Sequence, residues 1–121
     1  SLMNLRHFVQ RSFLDLRFYI YKMPVNMKHT GYMRFLPDGS LRTSMWSKGN
    51  WTLVQDDGLM LRIPRLSRRV LFAQFNYRRL AFFILQAGTL RVEWFGMHED
   101  LVQEPFKLAN ANFDVWTAGQ I

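Results

Sequence analysis

A chain of 121 residues that is 49% hydrophobic and 16% aromatic has enough apolar surface for one buried core, which excludes disorder and leaves no room for two ordinary domains. Sixteen Lys and Arg against nine Asp and Glu give a formal charge of +7, so the surface attracts phosphate, carboxylate or an acidic partner. Cysteine is absent, which excludes a disulfide framework, a thiolate metal site and a cysteine nucleophile, and fits a cytoplasmic location. The longest apolar run, LAFFIL at 80–85, is far shorter than the roughly 20 residues of a membrane-spanning helix, so no transmembrane segment is expected. Ser1 and Leu2 read as a cloning remnant before Met3, leaving one domain over 3–121.

The first element predicted is a helix over 4–16. Leu5, Phe8, Val9, Phe13 and Leu16 recur at spacings of three and four, and Asn4 is an acceptable N-cap. The period then changes to two. RFYIYK (17–22) alternates and stops at Pro24. GYMRFL (31–36) is rich in strand formers, and PDG (37–39) is a turn. SLRTSMW (40–46) follows, SKG (47–49) reads as another turn, and NWTLVQ (50–55) alternates again. DDG (56–58) is a tight hairpin signal before LMLRI (59–63).

Beyond Pro64 and a basic loop, RVLFAQF (69–75) and LAFFILQ (80–86) are two further strands. The second lacks a polar residue from Leu80 to Leu85, as a strand buried on both faces would. TLRVEWF (89–95) alternates, which predicts Leu90, Val92 and Trp94 on one side and Arg91 and Glu93 on the other. For residues 101–121 the expectation is one or two short strands, or an arm that pairs with a neighbouring subunit. The expectation is a mainly β fold: an antiparallel meander of about eight strands, closed into a barrel because an open meander would leave two unpaired edges. The helix would cover the mouth of the barrel or the outer face of LAFFIL, with a homodimer interface as the alternative cover.

The stretch 29–95, with Phe35 before the Asp38-Gly39 turn, then Gly49-Asn50-Trp51, then Asp57-Gly58 and an apolar strand, resembles the calycin-type barrels, the lipocalin-like and fatty-acid-binding-like proteins. In lipocalins the Gly-x-Trp motif opens the first barrel strand, whereas here it falls in mid-chain. The resemblance implies a non-catalytic barrel that holds a hydrophobic or amphipathic small molecule. Residues expected to line such a cavity are Phe35, Trp51, Leu53 and Leu61, together with Phe72, Phe82, Val92 and Trp94. Arg62, or else Arg34, would hold an anionic head group at the mouth. A barrel of about eight strands can instead be filled by its own side chains, so a hollow and a filled interior both stay open.

If the interior is filled, the alternative is an interaction module that uses an arginine-rich surface to bind an acidic protein or nucleic acid. Its candidate residues are Arg65, Arg68 and Arg69, with Arg78 and Arg79 one hairpin away. A solvated loop explains the same arginines. Nucleic acid is disfavoured as a partner, because the arginines are not strung along one strand face and no RNA-binding motif is present. His98, Glu99 and Asp100 bring a base and two carboxylates together, but adjacent residues on a loop rarely converge on one metal. No serine lies in a nucleophile elbow and no glycine-rich phosphate loop occurs, so no catalytic residue, metal or cofactor is expected.

Overall fold

The computed structural model describes residues 13–25, 28–54, 58–76, 79–89 and 91–101. The strands are β1 (Phe18–Lys22), β2 (Gly31–Phe35), β3 (Ser40–Thr43), β4 (Lys48–Leu53), β5 (Gly58–Arg62), β6 (Leu71–Asn76), β7 (Ala81–Gln86) and β8 (Val92–His98). A single 3-10 turn, Glu99–Leu101, follows β8. Each strand pairs with its successor, and β8 returns to β1, so the expected meander closes into a barrel. The closing seam runs from Phe18 opposite His98 to Lys22 opposite Trp94. Closure removes both free edges, which period-two patterning alone would have left exposed.

Connections in such a meander alternate between the two ends. The β2–β3, β4–β5 and β6–β7 connections share one end with Phe13, here the Phe13 end. The β1–β2, β3–β4, β5–β6 and β7–β8 connections share the other, here the Trp94 end.

The interior is aromatic. Phe13, Phe18, Phe35, Phe75 and Phe82 are fully buried, and Trp51 is 8% exposed. Most meet edge to face, Phe18 and Phe82 at 5.4 Å and Phe13 at 5.4 Å from Phe35 and 5.5 Å from Trp51, while Phe75 and Phe82 stack at 5.2 Å. Such pairs add roughly 0.5–1.5 kcal/mol each beyond the area they bury. Nearer the Trp94 end the filling is aliphatic, with Ile20, Met33, Leu41, Leu61 and Ile84.

Gly49-Asn50-Trp51 is structural. Gly49 faces inward on β4, where a Cβ would run into the carbonyl of Arg62 on β5. Trp51 packs in the core, and its indole N–H donates to the Leu36 carbonyl at 2.9 Å. That bond ties β4 to the β2–β3 turn, which also closes through Leu36 N–H to Ser40 O at 2.9 Å.

Several local expectations change. The helix expected over 4–16 falls on residues of which only 13–16 are described. Those carry Phe13 into the barrel mouth, held by Asp15 N–H donating to Phe35 O at 2.9 Å. SKG is not a turn: the bend is at 44–47, with Ser47 at φ 66°, and Lys48 already opens β4.

Val92 and Trp94 do not share a face. Leu85 pairs with Val92 but Ile84 with Trp94, a bulge that inserts Glu93 and reverses the alternation. Val92 therefore packs outside and Trp94 inside. Phe72 also lies outside, because the pairing of Leu61 with Leu71 and of Phe75 with Phe82 turns Leu71, Ala73 and Phe75 inward.

β7 is buried on both faces, as its composition predicts. Its outward residues Phe83 and Leu85 join Tyr21, Phe95 and Met97 in a second apolar cluster on the outer wall of β7, β8 and β1. Burial holds the Tyr21 hydroxyl above the ordinary tyrosine pKa, with the neighbouring Tyr19 adding to the shift.

Candidate functional site

Most of the residues expected to line a cavity are packed against their neighbours. Phe35, Leu61 and Phe82 are fully buried against their neighbours, and Trp51 is engaged with Phe13 and Leu36. Leu53 is half-buried, near the Phe13 end, opposite Leu59. A Cβ at Gly96 would strike the Phe82 ring, so glycine on β8 is what admits that ring to the interior. Phe72, Val92 and the exposed Arg62 lie on the outer face. Arg34, the other candidate for an anionic head group, is outside and pairs with Asp15 at 3.3 Å.

Trp94, of that set, borders a cleft among the described residues. A cleft of about 180 Å³ at the Trp94 end has Leu66, Leu71, Ile84 and Trp94 as its apolar lining and Ser67, Gln86, Arg91 and Glu93 as its polar one. The β5–β6 loop is held over it by three bonds. Leu66 and Ser67 N–H groups donate to Ile63 O at 2.9 and 3.0 Å, and Ala87 N–H donates to Val70 O at 3.2 Å. Beside the cleft the Trp46 and Trp94 rings meet edge to face, 4.8 Å between centroids. The Lys22 ammonium sits 4.5 Å over the Trp94 ring.

Cations gather at this same end. Lys22 closes β1 and Lys28 lies in the β1–β2 connection. Arg42 and Lys48 flank the β3–β4 turn. Arg62 closes β5, and Arg65, Arg68 and Arg69 follow in the β5–β6 loop. Arg91 precedes β8 and pairs with Glu93 at 3.5 Å. All of these cations are exposed, and Glu93 is the acid that accompanies them among the described residues. Arg42 stands directly opposite Lys48 across the β3–β4 ladder, and opposite Arg34 on its other side. Like charges so placed destabilise a sheet.

The Phe13 end is mixed instead. Arg34 pairs with Asp15 there, and Arg17 with Glu99 at 3.9 Å. Asp38 accepts from the hydroxyl and N–H of Ser40, which holds its carboxyl below the ordinary carboxylate range. Arg79 is exposed at this end, so it stands apart from Arg65, Arg68 and Arg69; Arg78 lies outside the described residues. His98 turns inward against Phe18, with Nε2 3.9 Å from the exposed Asp100. Among the described residues no three His, Cys, Asp or Glu side chains gather as a metal site would require. No helix of the described residues is long and apolar enough to cross a membrane.

Lys22, Lys28, Arg42, Lys48, Trp46, Ser67, Gln86 and Arg91 are members of this surface that sequence patterning does not single out as site residues. A usable signal was connection parity. Once a meander is assumed, every second connection shares an end, and the basic residues sort themselves accordingly. No family model, curated protein or solved structure matches this chain.

Proposed function

We propose that the protein is a non-catalytic interaction module that binds a polyanion through the Trp94 end of its barrel. The observation that carries this reading is the convergence there of exposed cations from four separate connections, with Glu93 as the accompanying acid among the described residues. Lys22 over the Trp94 ring and Arg91 beside Glu93 return part of the cost of gathering these charges, but not all of it. Arg42 opposite Lys48 costs stability, and neither forms a salt bridge among the described residues. A row of phosphates or carboxylates would repay that repulsion, and arginine forks suit either group.

A hydrophobic small molecule inside the barrel draws support from the calycin-type resemblance and from eight-strand closure. The packed aromatic interior weighs against it. So does the lining of the open spaces: the cleft of about 180 Å³ is below the roughly 300 Å³ at which pockets for drug-sized ligands begin, and the larger space of about 420 Å³ at the Phe13 end is lined mainly by charged side chains, Asp15, Arg17, Arg34, Glu99 and Asp100.

The test uses inorganic polyphosphate, titrated at about 50 and 200 mM salt, the range over which multi-phosphate contacts weaken steeply. Binding should fall sharply with salt and be lost when Arg65, Arg68 and Arg69 are all changed to Glu, with the circular dichroism spectrum unchanged. No binding, or binding that ignores both salt and the triple substitution, removes the proposal.

A further inference from the structure

We infer that the polyanion is a single-stranded nucleic acid, the partner that sequence patterning disfavours, and that the Trp94 cleft receives one of its bases. The inference rests on the polyanion reading and adds the chemistry of the cleft. An acidic peptide would bring carboxylates to a cleft that already holds the Glu93 carboxylate. A base brings a flat apolar face and an edge of mixed donors and acceptors. The cleft offers the complement: an indole and aliphatic side chains for the face, and the Gln86 amide, the Ser67 hydroxyl and the Glu93 carboxylate for the edge. Glu93, unhelpful to an anion, is an acceptor for an exocyclic amino group.

Size and surroundings agree. A cleft of about 180 Å³ has room for one planar heterocycle and excludes a lipid chain. Trp46 against Trp94 stiffens an aromatic platform at the cleft, and stacking on such a platform tolerates any sequence. Arg68 and Arg69 on the adjoining loop, with Arg62 and Lys48 at neighbouring strand ends, are placed for the phosphates on either side. The cleft lies between loops at a barrel end, where a duplex could not insert a base without unpairing it. A single strand carries no such cost.

The experiment compares affinities for a labelled single-stranded oligonucleotide, as DNA and as RNA, with those for the matching duplex, inorganic polyphosphate and polyglutamate of comparable charge. The single strand should bind about tenfold or more tighter than polyphosphate or polyglutamate, the fold-change expected of one stacked base. Trp94→Leu should abolish that advantage and leave polyphosphate binding unchanged. Gln86→Leu, which keeps the platform, should weaken the single strand alone and serves if Trp94→Leu melts early. Changing Arg68 and Arg69 together to Ala should lower the log–log salt slope by about 0.7 per phosphate contact removed. Equal affinity for all four polymers, or equal weakening of all by Trp94→Leu and Gln86→Leu, overturns the base pocket while the polyanion reading stands. Tightest binding to polyglutamate points to an acidic protein and overturns it too. Failure to bind polyphosphate and nucleic acid alike removes both.

Discussion

The outer wall of β7, β8 and β1 and the outer wall of β2, β3 and β4 belong to one closed sheet and have opposite characters. On the first, Phe83, Leu85, Phe95, Met97 and Tyr21 are buried, with Phe95 fully so. On the second, Arg34, Arg42, Lys48 and Asn50 are exposed, and Arg42 has a like charge on each side. Both walls are paired throughout the closed sheet, but the ladders are longer on the first, where β1–β8 runs from Phe18 opposite His98 to Lys22 opposite Trp94, than on the second, where β3–β4 runs from Ser40 opposite Asn50 to Arg42 opposite Lys48. Side chains separate them further. The first wall carries apolar area worth roughly 25 cal/mol per Å² once removed from water and therefore serves stability. The second carries repulsion that stability would discard, as the polyanion surface proposed above would require.

Substitutions on the two walls should diverge accordingly. The largest effect is expected for Phe95→Ala, about 3–5 kcal/mol in a denaturant titration, as for a core phenylalanine. A loss below about 1 kcal/mol, the scale of an ordinary surface change, would show that this wall is not structural. Gly96→Ala, one residue along but facing inward, should cost about 1–3 kcal/mol, because its methyl meets the Phe82 ring. An unchanged melting temperature there would mean that the interior has spare room.

Lys48→Glu should do the reverse and stabilise the fold by about 0.2–1 kcal/mol, since repulsion across Arg42 becomes attraction. The same variant should weaken polyphosphate binding. Destabilisation, or unaltered binding, breaks the contrast between the walls.

The smallest effect concerns pH. Because burial raises the Tyr21 pKa, the native state keeps a proton that the unfolded chain gives up. Its contribution is fully present below the ordinary tyrosine value of about 10 and is lost as pH rises through the raised one. Tyr21→Phe should therefore flatten the alkaline limb of a stability profile above about pH 10. Arg42→Ala on the other wall should leave that limb unmoved.

Strands and turns were legible because their causes are local. Alternation, strand-forming composition and one uninterrupted apolar run place all eight strands, and Pro37-Asp38-Gly39 marks its turn without help from the rest of the chain. LAFFIL declares its two-sided burial by having no polar residue to turn outward. Facing was less legible. VLFAQF alternates in both phases, and only pairing with β5 and β7 puts Ala73 inside and Phe72 outside. Val92 and Trp94 are two residues apart, yet a bulge set by β7 sends them to opposite faces. The candidate arginines were legible as residues and illegible as a surface. Arg65, Arg68 and Arg69 adjoin Arg79 in sequence more closely than they adjoin Lys22 or Arg91, whereas in the barrel the order is reversed.

By itself the sequence determined the mainly β class, the number and order of the strands, the excess of positive charge and the double burial of β7. Each is a property of a short window or of total composition. Only the tertiary structure decided that Phe13, Phe18, Phe35, Phe75 and Phe82 occupy the interior, that Trp46 and Trp94 meet, and that cations from four connections share one end. The physical reason is closure. Pairing β8 with β1 sets every register at once, and register decides which residues face inward and which distant connections become neighbours.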